Sequence, residues 1–143
     1  MPALQNFVRL EPQLPEAVPA RTMMGRAFML QQRWLEAEEQ LRLVLSMAPS
    51  RSPAHTTALG FMTDTLFAEQ KFAEARGAYV TYHGERPADA GAMTNLAVSL
   101  SVLGRLDEAV SAFRRVVEIN PGYAQARRIL AIALEEQAQT RKQ

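Results

Sequence analysis

The chain contains no cysteine, so neither disulfide staples nor thiolate metal sites are available to it. No stretch of 18 consecutive apolar residues occurs, which excludes an ordinary membrane-spanning helix, and the start lacks the basic-then-apolar order of a secretory signal. Lysine is nearly absent, with 2 against 14 arginines, yet the formal net charge is only +1. A near-neutral chain lacks the electropositive face that nucleic-acid recognition requires. Arg114-Arg115 and Arg127-Arg128 are the dense basic spots, and we read them as stems lying over apolar surface or as partners of carboxylates.

Chemical motifs are missing too. His55 and His83 stand 28 residues apart with no partner ligand at helical spacing, so no metal site is expected. There is no glycine-rich phosphate loop and no nucleophile elbow. Glu38-Glu39 and Glu135-Glu136 are neighbours that point different ways on a helix and read as solvated faces. No catalytic residue, metal or cofactor is expected, and the chain is expected to be soluble and cytoplasmic, without membrane insertion. At 143 residues it can bury about two-thirds of its unfolded surface, enough for a fold without staples.

What is present is periodicity. In GRLDEAVSAFRRVVEINP, Gly104 to Pro121, the residues Leu106, Ala109, Val110, Phe113, Val116 and Val117 recur at three- and four-residue steps. That spacing puts them on one face of an α-helix. Asp107 and Glu108 suit the positive end of its dipole. Gly104 supplies a turn before it, and Asn120-Pro121 ends it, since proline disfavours helical geometry in the residue it follows.

The pattern occurs three times. Arg33, Lys71 and Arg105 form one column, followed by Trp34, Phe72 and Leu106, then by Glu36, Glu74 and Glu108. Ala37, Ala75 and Ala109 come next, then Leu41, Tyr79 and Phe113, then Val44, Tyr82 and Val116. Each unit closes on a proline: Pro49, Pro87 and Pro121. A preceding helix repeats as well, with Met24-Gly25 and Phe28, Met62-Thr63 and Leu66, Leu96-Ala97 and Leu100, and a fourth copy at Leu130-Ala131 and Leu134. Small residues in these columns let two helices of a hairpin approach closely.

The spacing of 34 residues from Pro87 to Pro121, with a small residue, an aromatic and a closing proline, resembles the tetratricopeptide repeat (TPR). The resemblance implies an all-α fold of antiparallel helix pairs stacked as a right-handed superhelical solenoid. It implies one TPR domain over residues 1–143, with repeats at 18–51, 56–89 and 90–123. Residues 124–142 then form a C-terminal capping helix. Leu4, Phe7 and Pro12 sit at second-helix offsets, so residues 1–12 read either as half a repeat or as a capping helix. The longer step from Pro49 to Pro87 includes Ser52-Pro53, read as an N-cap and a first-turn proline that add a helical turn before Thr56. In the segment Glu11 to Pro19 the proline content suggests that the first helix begins at Pro19.

In this family the first helices of successive units line a concave groove that takes peptides or partner helices. Carried over, the groove residues are Met23, Arg26, Phe61, Asp64, Asn95, Val98 and Ile129. Thr22, Gly60, Thr94 and Arg128 lie one residue earlier, and Ala27, Thr65, Ser99 and Ile132-Ala133 beside them. Met23 and Ile129 fit core packing as well as binding, and Asn95 fits a role within its own helix pair as well as one toward a partner. The carboxylate clamp of some TPR co-chaperones falls on Thr22, Arg26, Phe61, Gly91 and Asn95, or on Gly60, Asp64, Asn95, Gln125 and Ile129. Neither set supplies its basic cluster. The resemblance therefore implies a non-catalytic protein–protein interaction module for a partly apolar peptide or helix. Two other readings are a substrate-recruiting TPR arm of a longer transferase-type enzyme and a small secretion chaperone. Self-association through terminal helices is a further open reading.

Overall fold

A computed structural model of the chain describes residues 17–142. Among these there are seven helices: α1 (Ala17–Leu30), α2 (Trp34–Met47), α3 (Pro53–Ala68), α4 (Phe72–Glu85), α5 (Ala90–Val102), α6 (Leu106–Ile119) and α7 (Ala124–Lys142). All regular structure in this range is helical. The expected half-repeat or cap at residues 1–12 lies outside the described residues.

The helix starts follow from local chemistry. Ser52 is the N-cap of α3: its hydroxyl accepts a hydrogen bond from the His55 backbone N–H at 3.2 Å, and Pro53 opens the helix. The added turn before Thr56 is therefore helical, as its sequence leads one to expect. Asp89 caps α5 by accepting from the Ala92 N–H at 3.0 Å, and its other oxygen accepts from the Tyr82 hydroxyl at 2.8 Å. In α1 the expected start at Pro19 is corrected, because the chain is already helical at Ala17. Proline is tolerated within a first turn, where backbone N–H groups have no intrahelical acceptor.

The turn inside each hairpin has one shape. Gln32, Gln70 and Gly104 hold equivalent places and all have positive φ, 59°, 61° and 77°. Behind each, the chain folds back onto the helix it leaves: Arg33 N–H donates to Phe28 C=O, Lys71 N–H to Leu66 C=O and Arg105 N–H to Leu100 C=O. These six-to-one bonds satisfy carbonyls the helix leaves open, as in a Schellman end. Glycine occupies this left-handed position without strain only in the third copy.

The chain divides into two compact units between Lys71 and Phe72. In the first, α1 packs against α2, and α3 packs against both. Ala37, Leu41 and Val44 are fully buried, as are Ala17 and Ala58. Gly25 lies against α2: a Cβ there would lie 2.9 Å from Leu41 Cδ2. In the second unit α4 packs on α5, α5 on α6, and α6 on α7. Ala75, Ala97, Ala109, Phe113, Val116 and Ala126 carry its core, all fully buried.

One expectation about charge is overturned. Glu39 is solvated, but Glu38 is only 8% exposed. It accepts from Lys71 Nζ at 2.8 Å and from Arg42 Nε at 3.0 Å. A buried carboxylate is tolerated where cations replace its lost hydration, and adjacency to Glu39 concealed that from a reading by helix face. Glu135 and Glu136 are both exposed, as expected.

Candidate functional site

In the first unit, Met23 and Arg26 lie one turn apart on α1, and Phe61 and Asp64 one turn apart on α3. The two helices are neighbours. Met23 is 59% exposed, Arg26 and Asp64 are exposed, and Phe61 is half-buried. Met23 is thus not part of the buried core. The Arg26 guanidinium has no ion-pair partner among the described residues. The two helices thus carry two apolar side chains, an exposed cation and an exposed anion.

In the second unit, Asn95 and Val98 lie on α5 and Ile129 on α7, all three half-buried. The Asn95 carboxamide makes no hydrogen bond among the described residues, so it is not used to tie its own helix pair. Ile132, one turn beyond Ile129, is 56% exposed.

The doublets expected beside the small-residue column are divided by the structure. Arg26, Asp64 and Ile132 are exposed and Val98 is half-buried, whereas Thr65, Ser99 and Ala133 are buried. The buried hydroxyls are satisfied by their own helices: Thr65 Oγ1 donates to Phe61 C=O at 2.8 Å and Ser99 Oγ to Asn95 C=O at 2.9 Å. Thr94 is also buried and donates to Ala90 C=O at 2.8 Å, while Thr22 and Gly60 are half-buried and Arg128 is exposed. One step of 100° along a helix is enough to turn a side chain from the surface into the adjoining helix.

A feature with no sequence signal lies at the far ends of α1 and α2 in the first unit. An apolar hollow of about 600 Å³ opens among Val18, Met47, Ala48, Pro49 and Pro53. Its lining comes from three separate helix ends, so no local pattern marks it. Among the described residues, no group of three or more His, Cys, Asp or Glu side chains could hold a metal ion, and no helix is long and apolar enough to cross a membrane.

The strongest electrostatic perturbation belongs to the Glu38 cluster and not to either exposed face. Burial alone would raise the Glu38 carboxyl, but hydrogen bonds from Lys71 and Arg42 outweigh it and hold it down at about 2. The Lys71 ammonium is raised above its ordinary value by its hydrogen bond to Glu38.

Residues 66–133 match the tetratricopeptide-repeat family. Among solved structures, a crystal structure of MamA superposes with a TM-score of 0.84 at 19% identity, covering 95% of this chain and 75% of that one. The first TPR domain of Spaghetti (RPAP3), bound to the HSP90 peptide SRMEEVD, matches with a TM-score of 0.75 at 18% identity, over 85% of this chain and 93% of that one. The TPR domain of Arabidopsis OM64 matches with a TM-score of 0.73 at 15% identity, over 82% and 94%. At these identities the likeness is one of fold. No curated protein sequence matches the chain.

Proposed function

We propose that this chain, a tetratricopeptide-repeat protein by its fold and by its residues 66–133, is a non-catalytic interaction module that holds a partly apolar peptide or helix on its first-helix faces. The observation that carries the proposal is Met23, a large apolar side chain left 59% exposed on α1, whose neighbour α3 carries the half-buried Phe61. Large apolar groups with polar neighbours are the usual anchors of a binding surface. Arg26 and Asp64 flank them in the first unit. In the second unit Val98 and Ile129 offer apolar contact, and Asn95 offers a free carboxamide. Support for peptide recognition on this fold comes from the RPAP3 domain, which was solved with a peptide bound.

The same residues argue against an acidic C-terminal tail as the partner. Of the two sets of positions that match a carboxylate clamp, one contributes Arg26 and the other contributes no cation. A single guanidinium can orient a partner but does not make the multi-point recognition of a terminal carboxylate. Apolar burial is therefore assigned the affinity, and Arg26, Asp64 and Asn95 the register.

Affinity capture from a native lysate, with the intact chain and its Met23→Glu/Val98→Glu variant, tests the proposal. Met23 is exposed and Val98 half-buried, and circular dichroism of the two proteins checks that the variant keeps the fold. A partner retained by the intact chain and lost from the variant is the expected result. An unchanged set of partners would remove the first-helix faces as the site.

A further inference from the structure

The turn that follows α3 carries a second carboxylate against the first. Glu69 has its side chain 91% removed from solvent, since 9% is exposed. Its Oε1 lies 3.4 Å from Lys71 Nζ, while its Oε2 is buried with no hydrogen-bond partner. Lys71 in turn donates to Glu38 Oε2 at 2.8 Å. Two buried carboxylates thus share one ammonium, and Arg42 adds its charge on the Glu38 side. Leaving a carboxylate oxygen buried and unpaired is costly, and a proton on it removes that cost.

We propose that Glu69 is the proton-binding group of a pH-responsive latch, which when protonated donates to Glu38 and fixes the turn after α3 onto α2. The charged groups acting on Glu69 are Glu38 from α2 and Lys71 from its own turn. Of the α1 arginines, Arg21 donates to Gln40 at 2.9 Å and Arg26 is exposed. Burial first, and the neighbouring Glu38 second, push the Glu69 carboxyl above its ordinary value of 4.5. Glu38 goes the other way, so the pair separates into one acid and one carboxylate.

The sign of the linkage follows. Between 4.5 and the raised value, the folded chain holds a proton on Glu69 that the unfolded chain has lost. Stability from this group is complete below 4.5 and is lost as pH rises through the folded value. The usual carboxylate response has the opposite slope, and Glu38 shows it only when pH falls toward about 2. No other repeat can do this: the places equivalent to Glu69 hold Gln31 and Leu103, and the place equivalent to Glu38 in the next repeat holds Arg76.

The natural Gln31 also supplies the test, because it shows that glutamine fits this turn. Glu69→Gln is neutral at every pH and keeps a donor toward Glu38. The thermal midpoint of the intact chain should fall from pH 5 to pH 8, and that fall should be reduced in Glu69→Gln relative to wild type. Titration of the Glu69 side-chain carboxyl carbon by NMR in the wild-type chain should give a midpoint above 4.5, a readout that stands even if the variant folds poorly. A Glu69 midpoint at or below 4.5, or an identical pH slope in the two proteins, would overturn the proposal.

Discussion

The two units place ion pairs between consecutive second-helix segments with opposite polarity and very different burial. In the first, the acid is Glu38 on α2, 8% exposed, and its cation is Lys71 from the following turn at 2.8 Å. In the second, the place equivalent to Glu38 holds Arg76, which reaches Glu108 of α6 at 3.8 Å, with the two side chains 35% and 49% exposed. Arg105, the counterpart of Lys71, turns to Glu108 of its own helix at 2.6 Å. The repeat columns are buried in both units, but they leave the charge at this place free to vary. Where the pair is buried, it couples folding to protons; where it is exposed, solvent screens it.

The common core and the divergent pair can be separated by mutation. The largest effects should be shared. Leu41→Ala in the first unit and Phe113→Ala in the second empty the same column, and both side chains are fully buried. Each should cost about 3–5 kcal/mol in urea denaturation, the range for large-to-small changes at buried sites. A cost near zero in one unit would break the equivalence of the two cores.

Charge substitutions should then split the units. Glu38→Gln removes the carboxylate that Lys71 and Arg42 both hold, and should destabilise by about 1–3 kcal/mol, as expected for a buried charged hydrogen bond. Arg76→Gln should cost about 0–1 kcal/mol, as exposed pairs do. Added salt should diminish the second effect more than the first. Equal costs would mean that burial is not what distinguishes the pairs.

The smallest effects concern the hairpin turns. Gln70→Gly should stabilise by up to about 1 kcal/mol by relieving a left-handed side chain, and Gly104→Ala should destabilise by about 1–2 kcal/mol by creating one. Thermal midpoints moving in opposite directions are the expected outcome. Movement in the same direction would show that the two turns, despite φ of 61° and 77°, are not alike energetically.

Most of the fold was legible because packing is periodic. Ala37, Ala75 and Ala109, and Leu41, Tyr79 and Phe113, stand in columns that contact demands, and all six are buried. The turns were legible only at Gly104, since Gln32 and Gln70 adopt the same backbone without the residue that announces it. Glu38 escaped because a helical face predicts burial from its apolar neighbours, while the ammonium that stabilises it arrives from 33 residues away. The exposed faces were partly legible: the columns located Met23, Arg26, Phe61 and Asp64. They could not separate accessible Asp64 from buried Thr65, which differ by one helical step. Partner identity is not periodic at all, and the hollow among Val18, Met47 and Pro53 comes from helix ends that no repeat column describes.

Amide hydrogen exchange of the chain with and without a captured partner tests the proposed function most directly. Slowed exchange confined to the turns of α1 and α3 around Met23–Arg26 and Phe61–Asp64, with Asn95–Val98 of α5, is the expected result. Protection confined instead to the outer surfaces of α2, α4 and α6 would contradict it.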